Sequence, residues 1–201
     1  VAGFFACLPP TQADRHHLGM TSVETLFFTL LASEWRQLAL PVQRMHGPAV
    51  SVLARGQADV NGANHFSARC LRRLLGLPAP GPNQSLEVSI ERQGSREIWT
   101  RRFGARQMRS VLDLNAAAGQ LSERLGPITL HFRLHRDDDA IDWTLLGASL
   151  LGIPLPRALL GNVLSRSGSR DNRYVFDIDT RLPLFGQLVG YHGWLEIIDE
   201  H

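Results

Sequence analysis

The sequence predicts an α+β fold dominated by a curved antiparallel sheet of about eight or nine strands, half-barrel or barrel-like, with two N-terminal helices. Three observations lead there. Apolar residues recur with a 3.6-residue period only ahead of Gly76, and from Ser85 onward the period is 2. The alternating runs are short and separated by turn residues, as in an antiparallel meander with one buried face. Finally, a sheet of so many strands twists strongly and tends to curl around whatever packs on it.

Val1 to Gly19 shows no period and reads as a loosely attached tail, leaving residues 20–201 as a single domain. The first helix begins after Met20, where Thr21 and Glu24 have the spacing of a capping box. Val23, Leu26, Phe27, Leu30, Leu31, Trp35 and Leu38 follow at helical spacing until Pro41 stops the run. The second helix spans about His65 to Leu75, with Phe66, Cys70 and Leu74 on its apolar face and Arg69, Arg72 and Arg73 opposite. One strand, Ser51–Val60, lies between the two helices, and the proline-rich segment Pro78–Pro82 is a stiff connector. The remaining strands are carried by Leu86–Ile90, Glu97–Phe103, Gln107–Leu114, Ile128–Leu134, Ile141–Leu145, Tyr174–Leu182 and Val189–Ile197. Gly152–Gly161 breaks the alternation with a proline-started helical turn laid across the sheet.

Composition excludes several chemistries. The 201 residues are 44% hydrophobic and 20% charged, ordinary for a folded domain. All 21 basic residues are arginine, so a Schiff-base lysine, a pyridoxal-phosphate site and a P-loop lysine are ruled out. A net charge of +2 is too small for a nucleic-acid binder. Two cysteines, Cys7 and Cys70, make neither a disulfide framework nor a four-cysteine zinc site, which favours a reducing, cytoplasmic compartment. The apolar stretch Leu26–Ala32 falls far short of the ~20 residues of a membrane span. Val1–Leu8 lacks the positive flank of a signal peptide.

Candidate chemical groups read mostly as structural. His131 and His135 have metal-pair spacing on a helix, but on a strand they stand ~13 Å apart and face solvent. Asp137-Asp138-Asp139 lacks the glycine and late glutamate of a calcium loop and reads as a hairpin tip. Asp177 and Asp179 share a strand face ~7 Å apart, a separation that acid–base pairs use but that charged outer faces also show. There is no Gly-x-Ser-x-Gly elbow and no dinucleotide fingerprint. Neither a catalytic residue, a metal ligand nor a cofactor site is assigned. Arg92, Arg96, Arg101, Arg102, Arg106 and Arg109 form a basic run over two hairpins, read as a solvated face paired with Glu91 and Glu97. Aromatics beside polar groups are the remaining lead. Trp99, Arg102, Trp143 and Tyr191 are the candidate ligand-binding residues, with Arg102 as the fork that would hold a carboxylate while the rings bury an apolar body.

Seven segments carry a family resemblance in order: Leu40–His46, Gly56–Val60, Trp99–Gly104, Glu123–Pro127, Leu151–Pro156, Phe176–Asp179 and Tyr191–Leu195. Together they resemble a bacterial family classed only as a domain of unknown function, across Leu40 to Leu195. That resemblance implies a module found alone or on the C-terminal side of nicotinamide-dependent reductases of the short-chain or saccharopine type. It supplies no catalytic residues.

Three functions remain in order of preference. The first is a non-catalytic binding module for a small apolar or amphipathic ligand. The second is an accessory or substrate-binding domain for a separate nicotinamide-dependent reductase. The third is a cofactor-free hydrolase or isomerase using Asp177, Asp179 or His192. On this reading, a chain beginning at Met20 should melt within ~2 °C of the full chain, less than the shift for ~1 kcal/mol. A loss of about 10 °C would show Phe4 and Phe5 docked on the domain.

Overall fold

Exposed strand edges invite unwanted pairing, and a sheet that closes on itself removes them. The computed structural model describes residues 25–183 and 185–201 and contains eleven strands. These are β1 (Ser51–Asn61), β2 (Gly81–Gln93), β3 (Arg96–Phe103), β4 (Arg106–Asn115), β5 (Gln120–Leu125), β6 (Ile128–Asp137), β7 (Ala140–Leu150), β8 (Ile153–Pro154), β9 (Asn162–Arg170), β10 (Arg173–Leu182) and β11 (Gly186–Glu200). Ten of them close a ring of antiparallel neighbours, β1 through β7, then β9, β10 and β11, which returns to β1. β8 adds only a two-residue pairing to the end of β7.

The β1–β11 seam that closes the barrel depends on two glycines. A Cβ at Gly56 would collide with the carbonyl oxygen of Trp194, and one at Gly193 with that of Gln57. Any larger residue would force the two backbones apart where the ring must meet.

An eight-stranded barrel is just filled by its own side chains, and ten strands enclose more. The N-terminal segment occupies one end of the added space. It comprises α1 (Leu26–Leu31), a 3₁₀ stretch (Ala32–Gln37) and α2 (Leu40–His46). Thr25 caps α1, its hydroxyl accepting from the Phe28 N–H at 3.2 Å. Phe27, Leu31, Trp35, Leu38, Val42, Met45 and His46 are buried against the strands. This plugged end also carries the β6–β7 turn, where Ala39 N–H donates to the Asp139 carbonyl at 3.1 Å. The opposite end carries α3 (Phe66–Leu74), α4 (Arg157–Leu160) and the β3–β4, β5–β6 and β10–β11 turns.

Several expectations are corrected. The single helix up to Leu38 is broken at Ala32, whose φ is 47°. Pro41 does not end a helix but sits in the first turn of α2, where its missing N–H costs nothing. The Thr21–Glu24 capping box and the tail Val1–Gly19 lie outside the described residues. The barrel has ten strands plus β8, against eight or nine expected. β5 and β9 were missed because polar residues point inward from them: Glu123 from β5, and Ser167 from β9, are buried. The second helix departs from its expected faces: Phe66, Cys70 and Leu74 are exposed and Arg72 is buried, while Arg69 and Arg73 are exposed as expected. In β6, Phe132 and Leu134 are buried, and Leu130 is partly buried against the core. Ile128 is also only partly buried, and His135 is exposed. His131 is half-buried, with Nδ1 3.0 Å from the Ser122 hydroxyl.

Phe27 packs its ring 4.0 Å from His46 and 5.6 Å from Trp143, at the heart of the plug. Phe27→Ala should therefore cost about 3–5 kcal/mol in urea denaturation. His135→Ala, on the outer surface, should stay within ~0.5 kcal/mol of neutral.

Candidate functional site

Inside the barrel, above the plug, lies a cavity of about 100 Å³. Its walls combine Trp99, Phe132, Trp143, Tyr174 and Tyr191 with Arg101, Glu123, Ser165 and Ser167. A second cavity, about 160 Å³ and almost wholly aliphatic, lies toward α3 and α4. Leu71, Leu75, Leu155, Leu159 and Leu160 line its outer part. The two share walls at Leu77, Leu125, Leu130, Val163, Thr180 and Val189, so the chamber with its polar groups adjoins an apolar throat.

Three hydrogen-bonded groups line or back the chamber, reaching its walls through Arg101, Glu123, Trp99, Tyr174 and Ser167. Arg101 Nη1 donates to the Ser110 hydroxyl at 2.9 Å, Nη2 donates to Glu123 at 3.2 Å, and the guanidinium lies 4.8 Å from the Trp99 ring centroid. Two of the five guanidinium N–H donors are thus engaged within the protein. Glu97 accepts from Trp99 Nε1 at 2.8 Å and from Arg92 Nε at 3.0 Å. Burial pushes the Glu97 carboxyl above its ordinary range, against the pull of Arg92. The third group runs from α2 across the barrel. His46 Nε2 lies 3.2 Å from the Tyr174 hydroxyl, which donates to Ser167 at 2.8 Å. Since Tyr174 gives its proton to Ser167, the bond to His46 requires the imidazole N–H on Nε2. Burial raises the Tyr174 phenol to about 12, and also raises Tyr191. Three buried side-chain atoms, His46 Nδ1, Trp143 Nε1 and, away from the chamber, Arg136 Nε, have no hydrogen-bond partner among the described residues.

Of the four expected ligand-binding residues, Trp99, Trp143 and Tyr191 line the chamber. Arg102 lies on the outer face, bonded to Glu87 at 2.7 Å and to Gln107 at 3.4 Å. Strand parity separates them: Arg102 stands three residues from Trp99 and Arg101 only two, so Arg101 shares its face. The basic run is accordingly not one solvated face, because Arg92 and Arg101 are buried in ion pairs with Glu97 and Glu123. Sequence reasoning also passed over His46, Glu123, Tyr174 and Ser167. Only Arg101 and Glu123 carried a signal there, as charged residues on the inward parity of a strand.

Asp142, Asp177, Asp179 and His192 line a wide, open groove of about 870 Å³ across β7, β9, β10 and β11. Asp179 is held by Arg181 at 2.7 Å and by Gln187 at 3.0 Å, and Asp142 by Arg166 at 2.9 Å. His192 is 3.7 Å from Asp59. That groove is larger than the chamber, yet it is solvent-open; Asp142 and Asp179 are already partnered, and Asp177 is exposed on its wall. The chamber is where buried polar atoms remain free to bind. No group of three or more His, Cys, Asp or Glu among the described residues is placed to hold a metal ion.

Residues 38–195 match the family described as Domain of unknown function (DUF4166). No curated protein matches the chain.

Burial, with Arg92 and Arg101 nearby, holds the His46 imidazole neutral well below its ordinary 6.5. The unfolded chain gains a proton here as pH falls through 6.5 and the folded chain does not, so stability present above that pH is lost toward pH 5. The slope should approach ~1.4 kcal/mol per pH unit for one proton. Glu97 acts the other way just above 4.5, where the folded chain is the better proton acceptor. His46→Gln should flatten the profile of urea-denaturation free energy between pH ~7 and ~5. An unchanged slope would assign the dependence to another group.

Proposed function

The chain belongs to the DUF4166 family, and from its lumen we propose that this domain is a non-catalytic binding module for a small amphipathic ligand. What carries the reading is the placement of Arg101, with spare donors, at the inner end of an otherwise aromatic and aliphatic passage. The ligand's polar head meets Arg101 and Glu123, and its apolar body extends toward α3 and α4. Pockets for drug-sized molecules run to roughly 300–1,000 Å³, and an apolar cavity of about 150 Å³ takes a benzene ring. Cavities of about 100 and 160 Å³ therefore suit one ring or a short chain.

Charge bookkeeping selects the head. Arg101 is matched by Glu123, Arg92 by Glu97, and His46 is neutral. A carboxylate entering this chamber would add an unpaired buried charge, at a cost of several kcal/mol. A neutral carbonyl or hydroxyl would accept from Arg101 with no such cost, and a hydroxyl could also donate to Glu123. A carbonyl is in addition a reducible group. For that reason a substrate-holding accessory to a separate nicotinamide-dependent reductase is the second reading, and it uses the same chamber. Preference for ketones and aldehydes over the matching alcohols would favour it.

The test is a thermal-shift screen of medium-chain alcohols, methyl ketones, isoprenoid alcohols and the matching acids. A ligand at ~100 times its Kd adds about 2.7 kcal/mol of stability. Neutral compounds should raise the melting temperature and the acids should not. Removing Arg101 alone strands a buried Glu123, so the informative variant is Arg101→Met/Glu123→Gln, which should lose the shift. Arg102→Met should keep it. A screen with no shift, or one abolished by Arg102→Met instead, would end this reading.

A further inference from the structure

The barrel end that carries α3 and α4 is unlike a water-facing surface in two independent ways. First, its apolar residues point outward. In α3, Arg72 is 4% exposed and donates to the Ala63 and Leu188 carbonyls, while Phe66 is 75% and Leu74 is 72% exposed. Across the throat, Leu151 is 79% and Ile153 71% exposed. Leu71 of α3 and Leu75 just after it, with Leu155 and Leu159 close in sequence to Ile153, line that throat, so the exposed side chains belong to the segments that form it.

Second, the connections at this end carry no acid. Residues 60–86, 98–112, 124–136, 143–170 and 180–195 contain no aspartate or glutamate, and every connection at this end falls within those stretches. Arg69, Arg73, Arg106 and Arg157 are exposed there and enter no ion pair among the described residues. Arg69 and Arg106 are close enough to Arg72 to lower its pKa, behind the larger effect of burial. The acids collect elsewhere, at the plugged end and on the outer wall: Asp137, Asp138 and Asp139 in one turn, Asp171 in another, Asp199 and Glu200 at the end of β11.

We propose that this end docks on an anionic lipid bilayer, with Phe66, Leu74, Leu151 and Ile153 entering the headgroup region and the unpaired arginines meeting lipid phosphates. Apolar side chains ringed by arginine are the composition of an interfacial binding face. A soluble protein partner would have to bring a compensating acidic surface, whereas an anionic bilayer supplies both the negative charge and the apolar layer beneath it. Docked this way, the throat opens directly onto the lipid. The inference rests on the ligand reading for its purpose, but not for its physics.

Sedimentation of the full chain with vesicles tests it. Binding should be strong to vesicles of phosphatidylcholine with phosphatidylglycerol, weak to phosphatidylcholine alone, and reduced by salt. Arg69→Gln/Arg73→Gln should weaken partitioning by about fivefold for each arginine removed. Phe66→Ser/Leu151→Ser should abolish most of what remains, and Arg173→Gln, at the other end, should change little. Arg101→Met/Glu123→Gln should bind vesicles as the parent chain does, so a failed ligand screen and a failed docking test are told apart. Absence of binding to anionic vesicles at low salt would overturn the proposal. So would an equal loss in Arg173→Gln, or a dimer in solution that buries Phe66.

Discussion

At the junction between the N-terminal segment and the barrel, the buried Arg92 guanidinium donates to the carbonyls of Met45 and Ala49 and pairs with Glu97. Glu97 in turn fixes the Trp99 indole. One cation thus ties the end of α2, the start of β1, the end of β2 and the inner face of β3 together. Removing one partner of such a pair would leave a buried charge uncompensated, at about 3–5 kcal/mol. With α2 held there, Met45 and His46 sit inside the ring, Phe27 packs against His46, and the plug is in place. Everything described for the chamber depends on that end being shut.

The barrel is plugged at one end, and the lumen is graded from that end to the other. Charged and aromatic groups lie deep, paired among themselves, and aliphatic side chains line the throat. The pairing of Arg101 with Glu123 keeps the chamber neutral overall while leaving donors and an acceptor oriented by neighbours. That arrangement discriminates by hydrogen bonding rather than by charge. It also stiffens the deep wall, because Arg101, Glu123 and Tyr174 are each held by a partner on another strand. The same grading continues outside, where Phe66 and Leu151 are exposed and the connections carry arginine but no acid.

Much of this was legible in the residues. The switch from a period of 3.6 to a period of 2 after Gly76 marked the α+β class, and the alternation of Leu130, Phe132 and Leu134 marked β6 correctly as a half-buried strand. Trp99, Trp143 and Tyr191 stood out as aromatics beside polar groups, and all three line the chamber. Alternation failed where the interior is polar. β5 and β9 turn Glu123 and Ser167 inward, so their patterns read as loops, and Arg101 read as surface because arginine usually is. The same prior put Arg72 of α3 outside and Phe66 inside, the reverse of what is found, while Arg69 and Arg73 are exposed as expected.

The sequence by itself determined the secondary-structure class, the turn positions and the absence of lysine chemistry, because each of these is local: a period, a turn residue, a composition. Tertiary structure alone decided that the sheet closes, through the approach of β1 and β11 at Gly56 and Gly193. It also decided which charges are inside. Whether an arginine is buried depends on a partner supplied from far along the chain, Glu123 for Arg101 and the Ala63 and Leu188 carbonyls for Arg72. A charge leaves water only where another strand meets its hydrogen bonds, and that condition exists only once the barrel has formed.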